Sequence, residues 1–278
     1  MTSLAVAVIQ TRTPASQIAA LADLEPLIRE AAAKGVQLIV TPEGSNFLQR
    51  DRERRQAILT DQENDALIQA VTGWAKELGV WILVGSAILK SGHSGDARAA
   101  NRAILIDNQG RTAKTYDKVH MYDVDLPTGE RWRESEAVRP GTAAVVADLP
   151  WGRLGLTICY DLRFPQLFRA LAKAGASVIA APSAFTVPTG QAHWETLLRA
   201  RAIETGCFIL APAQGGTHQD GRITWGHSIV VDPWGEVIAR MDNDAPGVLF
   251  ADLDLSAVPS AREAVPQLIH DRDFLPPA

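Results

Sequence analysis

Hydrophobic positions fall into short β-branched runs that alternate with amphipathic stretches along most of the chain. "LAVAVIQ" (4–10) is an apolar run of strand length, and "SQIAALADLEPLIREAAAKG" carries apolar residues at helical spacing, with Ser16 as N-cap and Gly35 as stop. "VQLIV" is a second strand and runs directly into "TPEG". The unit then recurs: "DQENDALIQAVTGWAKELG" predicts a helix from about Asp61, "VWILVGSAIL" a strand, and "NRAILIDNQGRTAKTYDK" a hairpin turned at residues 108–110. In the second half "GRLGLTIC" predicts a strand ending at Cys159, "RFPQLFRALAKAG" a helix stopped by Gly175, and "ASVIAAPSAF" a strand. "QAHWETLLRARAIETG" follows as a helix, "CFILAPAQ" as a strand, and "HSIVVDPWGEVIAR" as a hairpin turned at residues 232–235. Both halves read strand, helix, strand, helix, hairpin, with no Gly/Ser linker between them. That order predicts one α/β domain over residues 1–278 with an internal duplication. Residues 119–140 read as a long loop, and loops of that length in compact domains tend to be functional. The polar, proline-bearing tail from about 259 to 278 is expected to pack on a surface or on a partner subunit.

Composition narrows the class. With 46% hydrophobic and 21% charged residues the chain is an ordinary globular one, and 27 Lys+Arg against 32 Asp+Glu give a formal charge of −5. No basic cluster tracks a phosphate backbone, so no nucleic-acid partner is expected. The N-terminus lacks a basic leader pattern and no apolar stretch is long enough to span a bilayer, which predicts a cytoplasmic protein with no membrane association. Two cysteines, Cys159 and Cys207, cannot build a disulfide framework and show no CxxC spacing, in keeping with a reducing compartment. The histidines are scattered singly without HExxH, so no metal site is expected. There is no G-x-S-x-G elbow, "QGGTHQDGR" lacks the phosphate-loop pattern, and "VIQTRTPAS" after the first strand has no glycine. Neither NAD nor ATP is supported, and no cofactor is expected.

Three chemically complementary residues stand at predicted strand ends. Cys159 lies between a strand and a helix, at the carboxyl edge where open α/β folds place ligands. A helix N-terminus there favours a thiolate and an oxyanion. Glu43 follows "VQLIV" and Lys118 follows "RTAKTY". Acyl transfer by a cysteine needs a nucleophile, a proton acceptor and a positive or N–H-lined pocket for the oxyanion, and these three fit those roles in that order. Each also has a plain structural reading. A lone cysteine on an apolar strand is commonly core, which is the reading for Cys207. Glu43 fits a loop cap, and Lys118 a surface ion pair.

These motifs carry a resemblance. "VTPEGSN" around Glu43, "TYDKVHMYDVDLP" around Lys118 and "LTICYDLRFPQLFRALAKAGASVIAAPSAF" around Cys159 resemble the carbon–nitrogen hydrolase (nitrilase) superfamily over roughly residues 4–254. The resemblance implies a four-layer α-β-β-α sandwich and a Glu-Lys-Cys site, with Cys159 as nucleophile, Glu43 as general base and later acid, and Lys118 as stabiliser of the tetrahedral intermediate. It further implies a second glutamate in the loop after the lysine, for which "RWRES" offers Glu134 ahead of Glu130. It also implies a homodimer or larger homo-oligomer. Nitrilases read Cys-Trp-Glu at the nucleophile, whereas "CYDLRFPQL" resembles the amide-cleaving Nit branch. The run from "PSAFTVPTGQAHWETLL" to "WGHSIVVDPWGEVIA" is most similar to deaminated glutathione amidases, ahead of ω-amidases acting on α-ketoglutaramate and of nitrile hydrolysis. A catalytically silent binding relative has no chemical reason to keep all three site residues, while transfer of the acyl group to an amine stays open.

On this reading a small acidic amide is hydrolysed through a thioester, with the Tyr160 backbone N–H beside Lys118 at the oxyanion. An acidic substrate needs a cation, and Arg163 is the nearest candidate to clamp a carboxylate; the alternative is a local pair with Asp161. Thr186 and His193, with Ser183 and Phe185, are further candidates to line the pocket.

Overall fold

In the computed structural model, which describes residues 3–275, the first half of the chain forms β1 (Ser3–Gln10), α1 (Gln17–Ala33), β2 (Leu38–Val40), α2 (Arg52–Ile58), α3 (Ala66–Leu78), β3 (Trp81–Lys90), β4 (Ala99–Ile106) and β5 (Thr112–Asp117). A small hairpin, β6 (Asp123–Asp125) with β7 (Arg131–Arg133), leads to β8 (Val145–Leu149), β9 (Gly152–Leu156), α4 (Pro165–Lys173), β10 (Val178–Ala180), α5 (Val187–Thr205) and β11 (Phe208–Ala211). A second hairpin, β12 (Gly215–Thr217) with β13 (Ile223–Trp225), precedes β14 (Ile229–Val231), β15 (Val237–Arg240), β16 (Gly247–Asp254) and α6 (Ala257–Ala264).

Two six-stranded sheets result, ordered β16-β1-β2-β3-β4-β5 and β15-β14-β11-β10-β9-β8. The expected duplication is visible in their pairing. Each has three parallel strands (β1-β2-β3 and β9-β10-β11), an antiparallel strand on one flank (β16 or β8) and an antiparallel hairpin on the other. The halves differ in one respect: β8 directly precedes β9, whereas β16 returns from far along the chain to pair with β1.

Alternation along β1 builds the layers. Leu4, Val6 and Val8 point into a core shared with Leu154, Leu156 and Val178 of the second sheet. Ala7 and Ile9 point the other way, onto Leu24 and Ile28 of α1 and Leu67 and Val71 of α3. Helices α4 and α5 cover the far side of the second sheet, and the α-β-β-α sandwich is complete.

Several local expectations shift. The helix expected from Asp61 begins at Ala66, because Asp65 is the residue whose carboxylate accepts from the N–H groups of Leu67 and Ile68. Ser16 occupies the N-cap position of α1 without a side-chain bond. Helix α5 starts before the expected Gln191, with Pro188 in its first turn, where a missing N–H costs nothing. The strand expected to reach Cys159 stops at Leu156. Residues 119–140 contain the β6–β7 hairpin rather than a structureless loop. In the tail, Asp271 pairs with Arg169 and Lys173 of α4; residues 276–278 lie outside the described residues. Among the described residues no helix is long and apolar enough to cross a membrane.

Candidate active site

Beyond β9 the chain still follows the next strand's extension: Thr157 N–H donates to Ala180 O at 3.2 Å and Cys159 N–H to Pro182 O at 2.8 Å. Cys159 itself adopts φ +50°, in the left-handed region, and opens a 3₁₀ turn, Cys159–Arg163. For a non-glycine residue such backbone costs about 1–3 kcal/mol and persists only when its surroundings hold it. Asp161, fully buried, does much of that holding. Its carboxylate accepts from Ile158 N–H (2.9 Å), Tyr116 O–H (2.6 Å) and His120 N–H (3.0 Å), and it is hydrogen-bonded to His120 Nδ1 (2.7 Å). The turn bearing Cys159 is thus tied to the segment bearing Lys118.

Glu43 sits in the turn after β2. Thr41 N–H donates to Leu83 O and Ser86 N–H to Pro42 O, so the turn runs along β3, and Gln214 Nε2 donates to the Glu43 backbone carbonyl. Gly85 permits this closeness: a Cβ there would fall 1.8 Å from Thr41 O and 2.5 Å from Pro182 Cβ, so any side chain would push the two sheets' turns apart. Lys118 follows β5, its N–H donating to Asn101 O on β4.

The side chains converge. Lys118 Nζ donates to Glu43 Oε1 at 2.9 Å and to both oxygens of Glu134 at 3.0 and 2.9 Å. Asn101 Nδ2 donates to Glu43 Oε1 at 2.9 Å, and Tyr122 N–H to Glu134 Oε2 at 2.7 Å. The Cys159 thiol lines the same cavity wall as Glu43, near enough that the Glu43 charge bears on it. Glu130, the other candidate glutamate, is exposed and accepts from Trp132 Nε1; it takes no part in this cluster.

Burial pushes the Glu43 carboxyl up, but the Lys118 ammonium, the neighbouring Cys159 thiol and the hydrogen bonds from Lys118 and Asn101 outweigh it and hold it below the ordinary carboxylate range. Burial pulls Lys118 down, but Glu134 and Glu43 hold it well above the usual lysine value. The Cys159 thiol is pushed well above its ordinary value by burial and by the Glu43 charge, against the opposing pull of Lys118. The expectation that the turn favours a resting thiolate is therefore reversed. At neutral pH the site holds a neutral thiol beside an ionised carboxylate.

These groups open on a cavity of about 410 Å³. Of the expected lining, Tyr160, Arg163, Phe185 and Thr186 are there. Two are not. Ser183 is fully buried with its hydroxyl donating to Ala181 O, and its backbone bridges to Ala213, which aims it into the sheet. His193 is exposed on α5 and reaches only Arg163, Nδ1 to Nη2 at 3.3 Å. The local Arg163–Asp161 pair does not form, because Asp161 is occupied as described; the Arg163 guanidinium instead lies over the rings of Phe185 (5.5 Å) and Tyr160 (5.8 Å). Residues the sequence did not single out are Asn101, Tyr122 and a set of arginines including Arg222. Asn101 had a signal, a polar side chain at a buried position within the apolar run of β4. No group of three His, Cys, Asp or Glu is placed to hold a metal ion among the described residues.

Comparison with known proteins agrees with this geometry. The carbon-nitrogen hydrolase family profile matches residues 5–263. The chain is 44% identical over 91% of its length, and 87% of the relative's, to a deaminated glutathione amidase of Yersinia enterocolitica. It is 40% identical over 90% of its length to the human deaminated glutathione amidase, covering 76% of that protein. The solved NitFhit protein of C. elegans superposes with TM-score 0.89 at 36% identity, over 98% of this chain and 66% of that longer one. A variant of the amidase from Nesterenkonia sp. AN1, with acrylamide added at its active-site cysteine, superposes with TM-score 0.77 at 26% identity, covering 95% and 98%. With that match across nearly all of its sequence, the chain belongs to the carbon-nitrogen hydrolase family.

Proposed function

We propose that the protein is a cysteine-dependent amidase that cleaves a small acidic amide, and that its substrate is deaminated glutathione. The observation that carries this reading is the meeting of Cys159, Glu43, Lys118 and Glu134 in one buried cluster at a cavity. In the first half-reaction Glu43 takes the thiol proton as Cys159 Sγ attacks the amide carbonyl. Proton transfer to Glu43 as the sulfur attacks, rather than a standing thiolate, suits the neutral thiol and ionised carboxylate of the resting site. Lys118 and the Tyr160 backbone N–H face the oxyanion. The carbon–nitrogen bond then breaks, Glu43 returns the proton to the departing amine, and a thioester remains. A water that gives its proton to Glu43 adds to the thioester, the carbon–sulfur bond breaks, and acid and thiol are regenerated. Glu134 positions Lys118 through both carboxylate oxygens. No cofactor enters any step.

Support for the substrate comes from relatives at 36–44% identity that carry the name deaminated glutathione amidase, together with a cationic cavity wall. Arg163 stands four residues past Cys159, has no carboxylate within 4 Å among the described residues, and suits a substrate carboxylate. A panel comparing amine release from deaminated glutathione with ammonia release from α-ketoglutaramate and from a nitrile tests the reading; preference for either alternative overturns it. A homodimer and a cytoplasmic location belong to the same reading. Exposed Ile203, which packs beside Gly235, and Trp234 support a subunit contact, and two free thiols support a reducing compartment.

A further inference from the structure

The cavity holds more positive charge than the chemistry of Cys159 uses. Arg50 precedes α2, Arg55 lies on it, and Arg222 is carried by the β12–β13 hairpin; all three line the cavity. Trp132, on β7, stands between two of them, with the Arg50 guanidinium 4.5 Å and that of Arg222 5.2 Å from its ring centre. Arg131 and Arg133 on the same wall share Asp125 as counter-charge. Counter-charge is scarcer around the three. Among the described residues neither Arg50 nor Arg55 has a carboxylate within 4 Å, and Arg222 has only Asp220, 3.5 Å from Nη2, while its buried Nε has no hydrogen-bond partner. Burial and the neighbouring Arg222 and Arg52 push Arg55 below the ordinary guanidinium value, and burial with Arg50 does the same to Arg222 against the pull of Asp220, Glu43 and Glu134. Three like charges gathered around an aromatic face with one carboxylate, Asp220, paired to them, in a chain of net charge −5, are a site lacking its anion.

We propose that Arg50, Arg55 and Arg222 around Trp132 form a second anion subsite that binds a carboxylate on the leaving amine of the substrate. The inference rests on the amidase reading above and deepens it: the enzyme selects amides that carry a carboxylate on both sides of the bond cleaved. The side is assigned by Glu43. It returns the proton to the departing amine, and Gln214, whose side chain donates to the Glu43 carbonyl, leads directly into the β12–β13 hairpin that carries Arg222. Arg163, on the turn after the nucleophile, is left for the acyl portion. A primary amide such as α-ketoglutaramate has no leaving-group carboxylate and leaves the second subsite empty, whereas the cysteinylglycine portion of deaminated glutathione fills it.

The test is a ratio. In an Arg50→Gln/Arg55→Gln double variant and in Arg222→Gln, kcat/KM for deaminated glutathione divided by that for α-ketoglutaramate should fall about 10- to 100-fold, mostly through KM, with partial recovery in Arg222→Lys. A folded variant with the wild-type ratio overturns the subsite, and equal losses on both substrates assign the arginines to structure instead. Should Arg222→Gln fail to fold, the double variant decides, since Arg50 is exposed and Arg55 is only half-buried. Calorimetry on the Cys159→Ala protein separates this inference from its parent. Deaminated glutathione should bind more tightly than its C-terminal amide, and the difference should vanish in the arginine variants; equal binding of acid and amide overturns the subsite even if turnover is normal. If neither substrate is hydrolysed by wild-type protein, the amidase assignment fails, and the same pair of titrations still judges the subsite.

Discussion

Cys159 and Cys207 are both free, both buried, and both have thiols pushed up by burial, yet their surroundings differ in kind. Cys207 precedes β11 and is sealed: its thiol donates to Ala176 O at 3.2 Å, and Arg262 Nη2 lies 3.0 Å from the sulfur. Among the described residues no carboxylate is placed to take its proton. Cys159 sits on strained backbone at a cavity wall, with Glu43 beside the sulfur and Lys118 beyond it. Burial therefore does not separate the two thiols. What distinguishes the two is a neighbouring ionised carboxylate and space for an electrophile to approach. A cationic neighbour alone, which Cys207 has, does not make a nucleophile without an approach path.

The largest expected effect breaks this comparison directly. Cys159→Ala should remove hydrolysis by at least about 10⁴-fold with the fold retained, whereas Cys207→Ala should keep kcat within a few-fold and lower only the melting temperature. Steady-state kinetics with a thermal melt checks both, and activity surviving the first substitution would sink the nucleophile assignment. Next, Lys118→Ala should lower kcat by about 10²- to 10⁴-fold and also destabilise the fold by about 3–5 kcal/mol, because Glu43 and Glu134 would then face each other as unpaired buried charges. Chemical denaturation measures the second part; an unchanged midpoint would mean the carboxylates relax apart.

The pH profile sharpens the electrostatic side. Because the folded Glu43 carboxyl lies below its unfolded value, its stabilising contribution is present above the ordinary carboxylate range and is lost as pH falls through the lower folded value. The acid limb of kcat/KM should accordingly lie below about 4.3, the usual glutamate value, and should move upward in Lys118→Ala. An acid limb indifferent to Lys118 would remove Glu43 as the ionising group. Smallest of all, Glu130→Gln should leave both kcat and stability within about 0.5 kcal/mol of wild type, while Glu134→Gln loosens Lys118 and lowers kcat. Comparable losses from the two substitutions would mean that the loop, rather than one carboxylate, supports the lysine.

Where local signals were strong, chain and structure agree. The hairpin turns at residues 108–110 and 232–235 join β4 to β5 and β14 to β15, since turn residues act within a few positions of themselves. Short pairings were less legible. The strands of the β6–β7 and β12–β13 hairpins span three residues each, too few for an alternation to stand out, and β16 pairs with β1 across most of the chain. At the site, the three residues at strand ends are brought together as the motifs suggest, and Glu134 joins them. Ser183 and His193 were misplaced because sequence proximity to a cavity does not set side-chain direction: a bridge to Ala213 turns one inward, and the helical phase of α5 turns the other out.

The sequence alone determined the alternating α/β architecture, its duplication and the identities of the candidate reacting groups, because apolar periodicity and motif chemistry are carried by neighbouring positions. Only the tertiary structure decided what each charge experiences. Glu43 and Lys118 are 2.9 Å apart across 75 positions of chain, and Arg50, Arg55 and Arg222 meet around Trp132 from three separate elements. The protonation of Cys159 and the charge of the cavity wall follow from such distances and from burial, and neither is set by neighbours along the chain.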